Sequence, residues 1–348
     1  MTDQDYMTLA VAQARHGSNQ TWTNPIVGAV LVKHNQILAQ GYHHRFGQAH
    51  AEIDTLNQLD DVAQAQGATM YVTLEPCSHY GKTPPCARKL VAVGIARVVI
   101  GQRDPNPLVA GKGIAILEAA GIAVTVLDQT EGLNPTYNFY YHHHRPFVTL
   151  KMAVSADGKL NAATAQRTRL TGELAGHDSQ ALRACQQAIL IGERTLTIDQ
   201  PALTVRDQKL AVAPRRVVVV NAADQLDLTN RFFQDTTPVW LLSRQPSHRT
   251  WPDFVTVTAG QAWTPEQIVA FLADQGIQAL LVEGGSHLHA EFVAAGLVDQ
   301  VVTYVAPTLL GGQALPAVSG AGGKQLPLRL TDTQVLGPDV RLTFRRVS

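Results

Sequence analysis

Four residues in the first quarter of the chain combine side-chain types that do chemistry: His50, Glu52, Cys77 and Cys86. One imidazole and two thiolates supply three N/S ligands for a tetrahedral Zn²⁺, and a three-ligand set leaves the fourth position open to water. Glu52 then remains as a carboxylate able to move that water's protons. A closed structural site would need a fourth ligand, and the remaining cysteine, Cys185, lies far along the chain. The plainer reading of Cys77 and Cys86 is a pair of buried free thiols.

These side chains can meet only if particular elements deliver them. Apolar spacing through Met7, Leu9, Ala10, Val11 and Ala14 predicts a first amphipathic helix from Asp3 to about His16. The Asn24-Pro25 turn then feeds an apolar run, residues 29–32, and a hairpin through residues 36–41. A second helix is expected from His50 through Leu59, a strand over residues 70–74, a helix over residues 86–93 and a strand over residues 97–100. A helix over residues 114–120, a strand over residues 124–127 and a helix over residues 133–141 continue the alternation, which indicates a three-layer α/β domain. Glu75-Pro76-Cys77 falls just past a strand end, Cys86 at a helix start, and His50 at another. Residues two apart lie roughly 200° around a regular helix. His50 and Glu52 therefore reach one site only if the motif sits at the helix end, where free N–H groups favour thiolates and hydroxide.

Bulk properties narrow the class. At 348 residues two domains of ordinary size are expected. Twenty-eight basic residues against 28 acidic ones leave no net field to attract nucleic acid. The start, Met1-Thr2-Asp3-Gln4-Asp5, lacks the basic and apolar segments of a signal peptide, and no window approaches the length of a membrane span. Three cysteines, two of them in the motif, suit metal better than a disulfide and point to a reducing cytoplasm. The run from His142 to His144 reads as a solvated helix end, since no thiolate or carboxylate neighbours it.

His-x-Glu followed by Pro-Cys-x-x-Cys is the signature of zinc deaminases, with the Glu as acid/base and not a ligand. Here eight residues, not two, separate the cysteines. With that long segment, Pro76-Cys77-Ser78-His79 through Lys82-Thr83-Pro84-Pro85-Cys86, the first half resembles the cytidine-deaminase-like superfamily. The whole chain resembles the bifunctional riboflavin-biosynthesis deaminase/reductases. The resemblance implies His50, Cys77 and Cys86 as zinc ligands and Glu52 as proton shuttle. It also implies Asn24, His43, His79, Lys82, Asp104 and Asn106 as contacts to a phosphoribosylaminopyrimidine. Without the family, Asn24 is a turn cap, His43, His79 and Lys82 are solvated side chains, and Arg103-Asp104-Pro105-Asn106-Pro107 is loop chemistry.

Near residues 142–146 a polar helix end gives way to the apolar run 147–154, so the expected domains are 1–145 and 146–348. The second half shows another α/β pattern: a helix over residues 172–184, strands over 188–191, 217–220 and 239–242, a helix over 265–273 and a strand over 279–283. A helix over 286–295, a strand over 300–306 and a terminal pair across Gly337-Pro338 follow. No Gly-x-Gly-x-x-Gly follows a strand, so an ordinary dinucleotide fold is unsupported. Val282-Glu283-Gly284-Gly285-Ser286 is a strand, two glycines and a helix start, where backbone can approach a phosphate; the same pattern also serves simple close packing.

This half resembles the family's dihydrofolate-reductase-like α/β domain, through residues 150–159, Thr195 with residues 199–206, and residues 282–285. The resemblance implies NADPH, held by Thr195, Asp199, Gly285, Ser286, His287, Leu288, His289, Ala290 and Glu291. It implies Lys151, Arg183, Leu203, Arg206 and Glu283 around the substrate, with Arg183 and Arg206 suited to a ribose phosphate. Where the family has Ser-Gln-Trp-Ile-Thr, this chain reads Arg167-Thr168-Arg169-Leu170-Thr171, and Asn221-Ala222 replaces Asp-Ser. Arg167 and Arg169 could meet an NADPH phosphate instead. The expectation is thus a cytoplasmic homo-oligomer with Zn²⁺ and NADPH that deaminates a pyrimidine and reduces its ribosyl group. A deaminase with a weakened second domain, a base or nucleic-acid deaminase, and a zinc protein that binds without turnover are the competing readings.

Overall fold

The computed structural model describes residues 1–78, 84–162, 168–320 and 325–347. The chain divides into two compact units, Met1–His144 and Arg145–Ser348. Arg145 belongs to the second because both its Nη atoms bond the Asp299 carboxylate, at 2.7 and 2.6 Å. The same Asp299 takes the N–H of Val148 at 2.9 Å, which fixes where the second unit's first strand begins.

The first unit runs α1 (Asp3–Arg15), β1 (Gly28–Lys33), β2 (Gln36–Tyr42), α2 (Ala51–Asn57), β3 (Thr69–Val72), α3 (Cys86–Ala92), β4 (Arg97–Ile100), α4 (Lys112–Ala119), β5 (Ala123–Val126) and α5 (Pro135–His143). Its five strands lie in the order β2-β1-β3-β4-β5. β1 is antiparallel to β2 and β3, whereas β3, β4 and β5 run parallel. Alternation along β1 separates two cores. Ala29 and Leu31 face the cluster built with Ala51, Leu90, Ile114 and Leu117, while Val30 and Val32 face Tyr6, Met7 and Ala10 of α1. A two-residue side-chain period on a sheet buried on both faces has that consequence. α1 starts at a capping box, with Thr2 accepting from Asp5 N–H and the Asp5 carboxylate accepting from Thr2 N–H. It buries Tyr6, Met7, Ala10, Val11 and Ala14, so Tyr6 takes the inward place expected of the half-buried Leu9.

The second unit runs β6 (Phe147–Ser155), β7 (Lys159–Asn161), α6 (Glu173–Ala184), β8 (Ala188–Gly192), α7 (Glu193–Asp199), β9 (Arg215–Val220), β10 (Val239–Ser243), β11 (Val255–Ala259), α8 (Pro265–Asp274), β12 (Ala279–Val282), α9 (Ser286–Ala294), β13 (Gln300–Ala306), β14 (Leu315–Pro316), β15 (Leu328–Leu336) and β16 (Asp339–Arg346). A nine-stranded sheet has the order β11-β10-β9-β8-β12-β6-β13-β16-β15. It is parallel from β11 to β13 and closes with the antiparallel β16 and β15. β7 pairs with β14 as a separate two-stranded ladder. The central strands β8 and β12 are buried along almost their whole length, as expected of parallel strands covered on both faces. Among the described residues no helix is long and apolar enough to cross a membrane.

Several boundaries differ from the expected ones. α2 stops at Asn57, not Leu59, because the chain turns into a short 3₁₀ segment capped by Asp61, whose side chain accepts from Ala63 N–H. Gly172 and His50 are N-caps with extended backbone, not helical residues. α7, β7 and β14 carry no period long enough to have been expected, whereas β11 alternates Val255-Thr256-Val257-Thr258 although no strand is expected there.

Candidate active sites

In the first unit, His50 sits at the end of α2 with φ −72° and ψ 163°. The extended backbone takes its ring off the helix surface, so His50 and Glu52 can serve one site despite their spacing. Cys77 follows β3, and Cys86 opens α3. Cys86 donates its backbone N–H to Cys77 Sγ at 3.2 Å, the kind of helix-start donor that favours a thiolate. His50 Nδ1 lies 3.6 Å from Cys77 Sγ and 3.4 Å from Cys86 Sγ. Zn–S and Zn–N bonds of ordinary length at a tetrahedral angle imply an S···N edge of about 3.6 Å. The donor set therefore fits Zn²⁺ in type and in spacing; among the described residues it is the one such metal-ligating group.

Electrostatics tie the three groups together. The Cys77 thiol is pulled down to about 4, by its hydrogen bond with Cys86 first and then by His50. Cys86 is pushed up by the same bond and by burial. His50 is raised to about 9 by Cys77. Glu52, 3% exposed, has its carboxyl raised by burial against the opposing pull of His50, and it bonds the Cys86 thiol. A buried carboxyl touching the ligand cluster and able to hold a proton is what a shuttle requires.

The substrate-side residues divide. Asn24 Nδ2 lies 3.3 Å from His43 Nε2, and His43 Nδ1 lies 2.9 Å from Ala49 O. The network assigns the ring proton to Nδ1, donated to Ala49 O, and leaves Nε2 to accept from Asn24. Burial holds the His43 pKa below its ordinary value, which keeps the ring neutral. Its ring stands edge-on to His50 with centroids 5.4 Å apart, so Asn24 and His43 reach the metal cluster. Asn134 fixes the Asn24 turn by bonding Ile26 N–H and Ile26 O at 2.8 and 2.9 Å. His79 and Lys82 lie outside the described residues. Asp104 Oδ1 accepts from Asn106 N–H at 2.8 Å and from the Tyr137 hydroxyl at 2.9 Å. Asn106 accepts from Leu108 N–H and donates to the Tyr141 hydroxyl. Both side chains shape their loop. The His142–His144 run ends α5 and is exposed.

In the second unit a cavity of about 500 Å³ opens at the carboxyl ends of β8, β9 and β12. Lys151, Arg183, Thr195, Asp199, Leu203, Glu283 and the Gly285–Leu288 stretch line it, with His289 and Glu291. Arg206 and Ala290 do not. Arg206 is exposed, with its backbone N–H donated to Gln180 Oε1 at 2.9 Å, and Ala290 packs inward at 1% exposure. Arg194 and Arg244 add cations to the wall that no motif marks. The departures from the family pattern at Arg169 and Asn221 also line the cavity, which is formed nonetheless; Arg167 lies outside the described residues.

Arg183 and Glu283 form a bidentate pair, Nε to Oε1 and Nη2 to Oε2 both at 2.6 Å. Burial would push Glu283 up, but Arg183 and then Lys151 overcome it and hold the carboxyl at about 2. One edge of the Arg183 guanidinium is therefore committed, and the net charge of this trio is positive. At α9, the Ser286 hydroxyl and His289 Nε2 are buried with no hydrogen-bond partner among the described residues. His289 bonds Ala317 O through Nδ1 and stays neutral, burial lowering it to about 4. Orphaned polar atoms at a helix amino terminus beside a cavity this size fit a nucleotide phosphate. Gly284 is required by packing: a Cβ there would stand 2.8 Å from Gly192 N and Ile191 Cα. Gly285 donates its N–H to Thr195 Oγ1 at 3.1 Å, tying α9 to α7.

Family models match both units: the cytidine and deoxycytidylate deaminase zinc-binding region over residues 1–102, and the RibD C-terminal domain over residues 146–342. The chain belongs to the RibD family. Riboflavin biosynthesis protein RibD of Bacillus amyloliquefaciens is 40% identical over 97% of this chain and 95% of its own length. That of Escherichia coli K12 is 36% identical over 98% and 99%. The solved Acinetobacter baumannii RibD has a TM-score of 0.90, 36% identity and 99% coverage of both chains. A Thermotoga maritima diaminohydroxyphosphoribosylaminopyrimidine deaminase/5-amino-6-(5-phosphoribosylamino)uracil reductase has a TM-score of 0.85 at 29% identity, again over 99% of each chain. As a RibD-family chain, this is a bifunctional enzyme of riboflavin biosynthesis: a zinc-dependent deaminase with a reductase of the NADPH-dependent class.

Proposed function

We propose that the first unit deaminates 2,5-diamino-6-(5-phosphoribosylamino)pyrimidin-4(3H)-one and that the second reduces the ribosyl group of the product to ribityl with NADPH. The observation that carries the reading is the His50, Cys77 and Cys86 triangle with the buried Glu52 carboxyl against it. Zinc held there supplies the Lewis acidity that brings water's pKa to about 7. Glu52 accepts a proton from the attacking water and gives it to the ring nitrogen, then takes the proton of the newly added hydroxyl and gives it to the departing amine, so that the carbonyl forms and ammonia leaves. Asn24, oriented by His43, recognises the pyrimidine edge, and His79 and Lys82 select the ribose phosphate.

In the second unit the hydride comes from the reduced nicotinamide. α9 takes the cofactor phosphates at Gly285 and Ser286, and Thr195 and Asp199 border them. Lys151 and the free edge of Arg183 attract the substrate phosphate, with Glu283 keeping Arg183 in place. The enzyme works on a small molecule in the cytoplasm as a homo-oligomer; β15, exposed along all but its last residue and the last strand of its sheet among the described residues, offers an edge for that assembly.

Incubating the chain with the pyrimidine, with and without NADPH, and weighing the products tests both halves. Glu52→Gln keeps the shape and removes the carboxylate: ammonia release should fall at least about 10²-fold with zinc still bound. An active, zinc-replete variant would sink the shuttle.

A further inference from the structure

The acidic residue of Glu75-Pro76-Cys77 takes no part in the chemistry above, yet it is 3% exposed and fully engaged. Its Oε1 accepts the N–H groups of Gly113 at 3.0 Å and Ile114 at 3.2 Å. Its Oε2 accepts those of Gly111 at 3.0 Å and Asp104 at 3.4 Å. One carboxylate thus gathers backbone donors from the loop after β4 and from the amino terminus of α4, where negative charge is favoured.

The two sets of donors are held differently. α4 buries Gly113, Ile114 and Leu117 in the core, and Gly113 packs so closely that a Cβ would stand 2.0 Å from Pro76 O. α4 therefore keeps its place without Glu75. The loop between buries less: Leu108 is 70% exposed, although Val109 is buried and Asn106 donates to the Tyr141 hydroxyl. Asp104 is fastened at its N–H by Glu75 and at its carboxylate by the Tyr137 hydroxyl.

We propose that Glu75 is a positioning residue of the deaminase, fixing the loop that carries Asp104 and Asn106 in register with the strand end that delivers Cys77. Glu75 acts through that loop and touches neither zinc nor pyrimidine. The inference rests on the deaminase reading and on Asp104 and Asn106 contacting the pyrimidine, as the family resemblance implies. In Glu75→Gln the carboxamide keeps one accepting oxygen and turns an N–H₂ toward other donors, so one arm must let go. The arm on α4 is fixed by the core, and the loop arm is the one released. Cys77 keeps the Cys86 N–H and the metal.

The test is steady-state deamination by the full zinc-loaded chain, with zinc content and the reductase rate on the deaminated intermediate measured on the same preparations. E75Q should raise KM for the pyrimidine about tenfold, with kcat within about twofold and zinc unchanged. Tyr137→Phe, which loosens the same loop at a second anchor without altering charge, should raise KM about threefold. If E75Q does not accumulate as a folded chain, Y137F decides alone. Unchanged KM in Y137F, or in a folded E75Q loss of zinc or a fall in kcat at constant KM, would overturn the proposal. Ammonia release by the unaltered chain, measured alongside, separates this from failure of the deaminase reading.

Discussion

Replacing Glu283 by Gln should destabilise the second unit by an amount the structure sets. The carboxyl falls from an ordinary 4.5 to about 2 because Arg183 and Lys151 outweigh its burial. Each tenfold change in proton affinity corresponds to about 1.4 kcal/mol, so the charged form contributes about 3 kcal/mol. The sign follows from the depressed value. The contribution is fully present above about pH 4.5 and is lost as pH falls toward about 2. Removing one member of a buried pair leaves the other charge uncompensated, and the measured cost of that elsewhere is about 3–5 kcal/mol. Urea unfolding followed by tryptophan fluorescence is the assay, since Trp240, Trp251 and Trp263 all lie in the second unit and only Trp22 in the first. At pH 7 E283Q should lose about 3 kcal/mol, and the gap from the unaltered chain should shrink by more than half at pH 3. A deficit under about 1 kcal/mol at pH 7, or one that does not change with pH, would refute the argument that Glu283 is held ionised by this pair.

Stripping zinc with a chelator should abolish ammonia release and leave reduction of the deaminated intermediate unchanged, because the His50, Cys77 and Cys86 cluster that fits the metal lies in the first unit; restored Zn²⁺ should return the activity. Gly284→Ala forces a methyl against the β8 backbone at 2.8 Å, which should cost about 1–3 kcal/mol in the second unit. NADPH oxidation should fall in that variant while ammonia release continues. Parallel loss of both activities would mean that the strain spreads beyond the reductase.

Much of the metal site is legible in the sequence because side-chain type declares it: a thiolate or imidazole at a helix start has few other uses, and Cys86 and His50 stand at such places, with Cys77 just past a strand end. The sheets are legible where apolar runs are continuous, as in β8 and β12. Glu75 is not legible, since its partners are backbone N–H groups 29 to 39 residues later and backbone donors leave no mark on residue type. Arg183 and Glu283 are recognisable singly as ligand contacts, but their pairing spans 100 residues. Nothing local says that Arg183 spends one edge on Glu283 before meeting any phosphate. α7, a seven-residue helix directly after β8, has too few turns to show a period.

One rule places part of the chemistry in both units. Cys77 follows β3, Asp104 follows β4, Asn221 follows β9, Arg244 follows β10 and Glu283 follows β12, and each of these strands lies in the parallel part of its sheet. Crevices of open α/β sheets form outside the carboxyl ends of such strands. A four- or five-residue apolar run that stops at a polar residue, Gly or Pro thus marks a functional position before any motif is considered. What the run cannot mark is the second residue that holds the first. Glu75 beside Cys77, Asn134 behind the Asn24 turn and Tyr137 under Asp104 act through contacts that exist only once the sheet has assembled. A variant at these supporting positions should therefore alter binding constants before it alters metal content, whereas a variant at a strand-end ligand should do the reverse.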